Sequence, residues 1–324
     1  MNGSDENILV IINPKAGRYG SVSAAGKLCR ELRQAGARVN EITTTGMGDA
    51  RKIAFNQAPN HSLVVACGGD GTLSEVISGL MRLPSPPDVG FLPIGSTCDV
   101  ARTFGLPSNP VKAARGMLNG IPYPLDIGQV TGSQASIRQD LPQGTVPHEA
   151  DQLPEYFSYV ASFGAFTEIA YATRRQLKKS LGHLAYVLKG LQSVGSIRPF
   201  ETEVILDGED YSGHYIFGGV LNSNSVGGLV RLDDVILDDG LFEVLLVKPP
   251  RNVGQTARLV SQLLRRKTGN DIIRRRARDI SFRFIEPVSF TLDGEYGGTR
   301  KSWQVTNIKQ AVRLRLQDPP KATS

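Results

Sequence analysis

VVACGGDGTLSEVISGL, residues 64–80, decides how this chain folds. An apolar run of strand length enters Gly68, Gly69, Asp70 and Gly71, and a helical pattern begins at once. Over 72–83, Leu73, Val76, Ile77, Leu80 and Met81 fall at i, i+3, i+4, i+7 and i+8, which makes one apolar face. The glycines let the backbone approach a ligand closely, and the helix start offers unpaired N–H groups and a positive dipole end. That combination suits a phosphate, although it is neither the Walker loop nor the G-x-G-x-x-G dinucleotide fingerprint. An aspartate inside such a loop makes sense once a divalent cation sits between Asp70 and the phosphates. The plain alternative is a tight strand-to-helix turn with Asp70 or Thr72 as its N-cap.

The same alternation continues outward. NILVIIN (7–13) is the continuous apolar run of a strand buried on both faces. Helices are expected at 21–36 and 48–58, and further strands at 37–44, 61–69 and 88–95. Strands and helices of these lengths predict a parallel sheet covered on both sides across residues 1–125. Two more strand-end loops would open onto the crevice of the glycine-rich turn. One is IINPKAGR (11–18), with Asn13, Lys15 and Gly17; the other is FLPIGSTCDVARTFGL (91–106).

Beyond residue 125 the pattern changes. Residues 131–154 are polar and proline-bearing and read as a long loop, followed by a helical region at about 165–194. Short alternating runs then follow: TEVILDG, YIFGGVLNS, LFEVLLV, ISFRFIE, VSFTLDG and AVRLRLQ. They predict a mainly antiparallel β domain, interrupted by a helix at about 252–267. The ligand site is expected in the cleft between the two halves. Leu-Asp-Gly-Glu occurs twice, in VILDGEDYSG (204–213) and SFTLDGEYGG (289–298). Asp-Gly after an alternating run is a hairpin signal, and a glutamate beside a tight turn is a candidate base. Local residues do not separate Glu209 from Glu295.

At 324 residues and 40% hydrophobic content, the chain has enough length and apolar material for two packed domains. No run approaches the roughly 18 apolar residues of a membrane span. The first residues, MNGSDENILV, lack the basic region of a signal peptide, so a cytoplasmic location is expected. Cys29, Cys67 and Cys98 are too scattered for a metal site and read as reduced thiols, and the four histidines form no ligand spacing. The net charge of +6 is concentrated in 173–190 and 263–279. Such runs are either solvated faces or attraction to an anionic surface. Without a zinc finger, helix-turn-helix or aromatic RNA-binding box, that surface is expected to be membrane headgroups rather than nucleic acid.

NPKAG, GGDGTLSEVISGL, LPIGSTCDVAR, LDIG (125–128), LDDGLFEVLLV (237–247) and FTLDGE (290–295) recur here in one order. In that order and spacing the chain resembles the diacylglycerol-kinase-like lipid kinases, in the bacterial soluble branch related to diacylglycerol and sphingosine kinases. The resemblance spans nearly the whole chain, whereas the glycine-rich motif alone is shared with NAD kinases and, more distantly, phosphofructokinases. It implies an NAD-kinase-like α/β nucleotide domain (1–125) and a β-rich domain with lipid-access elements and a structural cation site (126–305). A C-terminal strand and tail (306–324) would pack back on the first domain.

The implied reaction is ATP- and Mg²⁺-dependent transfer of the γ-phosphoryl to a hydroxyl of diacylglycerol or a similar lipid. By position, Asn13, Lys15, Gly17, Thr44, Gly68, Gly69, Asp70, Gly71, Thr72, Leu73, Ser74, Glu75 and Ser96 would line the nucleotide. Asp70 and Asp99 would organise the catalytic metal, with Asp126 contributing, and Glu295 would be the base. A second, structural Mg²⁺ would take Asp239 and the backbone oxygens of Ile236 and Leu241. Cys98 departs from the family's asparagine and loses an amide donor and a carbonyl acceptor. The lipid would be met peripherally at a membrane surface, helped by basic residues and the stripe Leu184, Val187, Leu188 and Leu191. A homodimer is also compatible with this reading. The alternatives are an NAD-kinase-like enzyme and a nucleotide- or lipid-binding protein without turnover.

Overall fold

The structure is a computed structural model. It describes residues 6–17, 20–95, 98–132, 155–164, 198–226, 230–232, 234–252 and 271–318, with isolated positions between 254 and 269. Ser96, the helical region at 165–194 with its leucine stripe, the basic run at 173–190 and most of 131–154 and 252–267 lie outside the described residues.

The first part of the chain runs β1 (Asn7–Ile12), α1 (Ser21–Gln34), β2 (Arg38–Thr43), α2 (Asp49–Gln57), β3 (Leu63–Gly68), α3 (Asp70–Leu80), β4 (Asp88–Pro93), α4 (Asp99–Phe104) and α5 (Pro110–Asn119). Its strands are parallel in the order β4-β3-β1-β2. The continuous apolar run of β1 has a direct cause. Leu9 and Ile11 pack with α2 and α3 residues such as Ala54, Val76 and Leu80, while Ile8, Val10 and Ile12 pack with Leu28 of α1 and Met117 of α5. With both faces buried, no position in the strand is left for a polar residue.

The second part is β-rich. It runs β5 (Ile121–Thr131), β6 (Tyr156–Phe157), β7 (Val160–Gly164), β8 (Phe200–Leu206), β9 (Glu209–Asp210), β10 (Gly213–Tyr215) and β11 (Phe217–Leu221). Then come β12 (Ser225–Val226), β13 (Val230–Arg231), β14 (Phe242–Val247), β15 (Ile272–Ala277), β16 (Asp279–Leu292) and β17 (Glu295–Leu316). Its core is aromatic: Trp303 stacks on Phe290 with ring centroids 4.1 Å apart, and its indole N–H donates to the Val288 and Arg300 carbonyls, both at 3.2 Å. The architecture is therefore the α/β domain plus antiparallel β domain that the sequence predicts.

One sheet joins the halves. Its path is β15-β14-β11-β7-β16-β17-β4-β3-β1-β2, and β17 belongs to both domains. At one end β17 pairs with β16; at the other, Leu314 lies parallel to Val89 of β4, and β5 runs antiparallel alongside. Arg315 fixes that end, since its Nε donates to Asp88 Oδ2 at 2.7 Å and its Nη1 to Glu6 Oε1 at 2.9 Å. Residues 125/126 and 305/306 thus fall inside continuous strands rather than linkers.

Two further helices, α4 and α5, lie beyond those expected from the sequence. α4 follows the third strand-end loop directly, and α5 opens with Asn109, whose Oδ1 accepts from Val111 N at 3.0 Å, ahead of Pro110 at the first helical position. That Asn-Pro pair is a readable helix start. In addition, α3 begins at Asp70 rather than Thr72, with Gly69 at the cap and no side-chain cap bond.

Candidate active site

Loops at the carboxyl ends of β1, β3 and β4 meet in one crevice. Asn13 Nδ2 donates to Thr72 Oγ1 at 3.0 Å, which ties the first loop to the first turn of α3. Its Oδ1 accepts from Lys15 N at 3.0 Å, shaping the Asn13–Gly17 turn and leaving the Lys15 side chain exposed. Gly17 abuts the Ile94 carbonyl, where a Cβ would lie 2.6 Å away. A Cβ on Gly95 would lie 2.6 Å from Gly69 Cα, so the second and third loops touch backbone to backbone, and a side chain there would push them apart. The result is a cradle of main-chain groups at the start of α3.

Asp70 and Glu75 both serve as caps across the fold. The Asp70 carboxylate accepts from Asp99 N at 3.1 Å and Val100 N at 3.3 Å, so it caps α4, and burial pushes its pKa up against those donors. Asp99 is buried beside it, with Arg102 Nη1 at 3.7 Å from its Oδ1. The Glu75 carboxylate accepts from Gly48 N at 2.9 Å and Ala50 N at 3.1 Å, which caps α2 and holds the loop after Thr44. Burial raises the Glu75 pKa, and the neighbouring Glu295 adds to the rise. Thr44 is buried, with its N–H on the Ile12 carbonyl at 2.9 Å, and Leu73 points into the core under α3. Leu73 therefore offers a nucleotide only its backbone.

The structure gives a reason for asparagine at the position Cys98 occupies. Cys98 is the residue before α4 and adopts φ 49° and ψ 58°, the left-handed region, with no side-chain cap bond. Asparagine enters that region easily, while other non-glycine residues pay roughly 1–2 kcal/mol. The α4 cap comes from Asp70, and the Cys98 side chain supplies none. Burial, reinforced by Asp70, pushes the thiol up to about 11 and keeps it neutral.

The two Leu-Asp-Gly-Glu segments share one local geometry. Asp207 and Gly208 have φ 48° and 88°, and Asp293 and Gly294 have φ 50° and 78°. Positive φ at both central residues is the type I′ hairpin turn. Their surroundings differ. Glu209 lies on an exposed hairpin and accepts from Tyr211 OH at 2.7 Å. Glu295 opens β17 against the first turn of α3, and a Cβ on Gly71 would lie 2.5 Å from its Oε1. The β domain thus delivers a carboxylate to the glycine-rich turn.

Two expected metal residues carry hydrogen bonds of their own. Asp126 is fully buried and uses its carboxylate on Gly240 N at 2.6 Å, Gln310 N at 2.7 Å and Asn307 Nδ2 at 3.2 Å. It secures a bulge in β17 at Gln310, φ 53°, rather than joining Asp70. Asp239 accepts from Leu241 N at 2.9 Å and pairs with the Arg276 guanidinium of β15. The Asp239 carboxylate and the Leu241 backbone therefore lie side by side. Among the described residues, no three His, Cys, Asp or Glu side chains gather to enclose a metal.

A glycine-rich turn on a parallel sheet is thus faced by a carboxylate from a second domain. Residues 7–130 match the family described as the diacylglycerol kinase catalytic domain. The chain is 35% identical over 294 residues to the diacylglycerol kinase of Bacillus subtilis (strain 168), covering 89% of each. It is 25% identical over 311 residues to that of Staphylococcus carnosus (strain TM300), covering 94% of this chain and 93% of the other. A solved diacylglycerol kinase from Bacillus anthracis str. Sterne superposes with a TM-score of 0.71 at 22% identity, covering 96% and 97% of the two chains, which shows the shared fold. The chain belongs to the diacylglycerol-kinase-like family and is a lipid kinase, with ATP as the phosphoryl donor that kinase membership implies.

Proposed function

We propose that this enzyme phosphorylates a hydroxyl of diacylglycerol, using ATP and Mg²⁺, with Glu295 as general base. The supporting observation is Glu295 Oε1 against Gly71, within the turn that would cradle the phosphates. The N–H groups at the start of α3 bind the phosphate oxygens, and the helix dipole adds to that attraction. Asp70 and Asp99 are the residues that would hold Mg²⁺, which when bound neutralises phosphate charge. The lipid hydroxyl oxygen forms a bond to the γ-phosphorus as the bond to the bridging oxygen of ADP breaks. Glu295 accepts the hydroxyl proton, and the product is the lipid phosphate.

The acyl chains remain in a membrane, so the enzyme works peripherally at its cytoplasmic face. Arg275 and Arg278 on the outer edge of the β domain are exposed, and each basic residue near an anionic surface contributes about 1 kcal/mol of attraction. No helix among the described residues is long and apolar enough to cross a bilayer.

Incubation with γ-labelled ATP and equal amounts of diacylglycerol, a sphingoid base and NAD tests the proposal. Label is expected in phosphatidic acid. Label in NAD alone would overturn the lipid substrate, and no transfer to any acceptor would favour a binding protein.

A further inference from the structure

The two Leu-Asp-Gly-Glu hairpins differ most in their aspartates. Asp207 is exposed, and its carboxylate accepts from Arg278 N at 3.1 Å and Asp279 N at 2.8 Å. Those donors belong to the neighbouring strand of the same surface hairpin array. Asp293 is 1% exposed and accepts four hydrogen bonds. Its Oδ2 takes Ser158 N at 2.8 Å and Ser158 Oγ at 2.9 Å; its Oδ1 takes Tyr159 N at 2.9 Å and Val160 N at 3.1 Å. The backbone closes the tie from the other side, with Asp293 N donating to the Val160 carbonyl at 2.8 Å.

Residues 158–160 are no ordinary loop. Tyr159 and Val160 belong to the same buried cluster as Leu73, Val76 and Ile77 of α3. The tie therefore runs from the hairpin tip, through 158–160, to the core beneath the helix whose first turn contains Gly71. Two residues beyond Asp293, Glu295 meets that turn.

We propose that Asp293 is a positioning residue for the reaction: its four hydrogen bonds fix the height of Glu295 above Gly71. The proposal rests on Glu295 being the base. A carboxylate suits the place because three of the four groups facing it are main-chain N–H donors, and asparagine would turn an NH₂ against at least one of them. Displacement of a reacting group by about 1 Å costs on the order of 10²-fold in rate. Burial pushes the Asp293 carboxyl up to about 6, so assays at pH 8 read its ionised form.

The test compares Asp293→Asn with Asp207→Asn, which alters the matching turn away from the cleft. Each loses turn contacts and should melt at a lower temperature. Asp293→Asn should lower kcat about 10²-fold with KM for ATP within about twofold of the unaltered enzyme, while Asp207→Asn leaves kcat unchanged. Equal kcat in the two variants overturns the proposal. Ser158→Ala removes one donor without disturbing the turn and covers the case in which Asp293→Asn does not fold. It should lower kcat by about threefold or more, and an unchanged kcat contradicts the assignment. Glu295→Gln, assayed in parallel, keeps the two claims separate: full activity there overturns the base itself, whatever Asp293 does.

Discussion

Glu295→Gln is expected to lower kcat by about 10³-fold while leaving the affinity for ATP nearly unchanged, since general-base catalysis contributes roughly 10²–10⁴-fold. Glutamine keeps the size of the side chain and its contacts at the start of α3, but it cannot accept the hydroxyl proton. In the proposed mechanism the phosphates bind to main-chain N–H groups, which this substitution does not touch. A loss confined to kcat is the signature of an interaction made in the transition state. Glu209→Gln alters the same tetrapeptide on an exposed hairpin and should change neither constant. Steady-state kinetics with diacylglycerol in mixed micelles reads both variants.

Gly71→Ala is expected to lower kcat by about 10²-fold while the melting temperature holds or rises. The added methyl would sit 2.5 Å from Glu295 Oε1, so the carboxylate must withdraw. A retreat of about 1 Å at the reacting centre costs on the order of 10²-fold. Stability moves the other way. Gly71 lies in the first turn of α3 with ordinary helical φ, and alanine is favoured over glycine in helices by about 1 kcal/mol. A generally damaged protein would lose activity and stability together. Thermal denaturation beside kinetics distinguishes the two cases.

The α/β half was legible in the sequence because burial on both faces writes a continuous apolar run, as in β1, and one-sided burial writes the stripe of α3. The Asn109-Pro110 start of α5 is equally visible in the sequence. The rest depends on contacts between distant segments. Asp70 and Glu75 sit where a phosphate loop would place them, yet each also caps a helix, α4 and α2, begun elsewhere in the chain. Asp126 secures a bulge in β17, far along the sequence. Asp239 is implied as a cation ligand by the family resemblance alone, and its pairing with Arg276 follows from the seating of β15 beside β14, which strand composition does not reveal. The two Leu-Asp-Gly-Glu segments were indistinguishable for a physical reason: both are type I′ turns, and only tertiary position separates them. The left-handed backbone of Cys98 likewise comes from the tertiary fold and leaves no trace in the local sequence.

The central claim is that a glutamate from the β domain acts at the glycine-rich turn of the α/β domain. Its most direct test is a double-mutant cycle between Gly71→Ala and Glu295→Gln, read as kcat for diacylglycerol phosphorylation. If alanine acts by displacing the base, then once the base is gone it has nothing left to displace. The double variant should match Glu295→Gln, at a loss of about 10³-fold. Losses that multiply to about 10⁵-fold would mean that the two residues act independently, and would contradict the account.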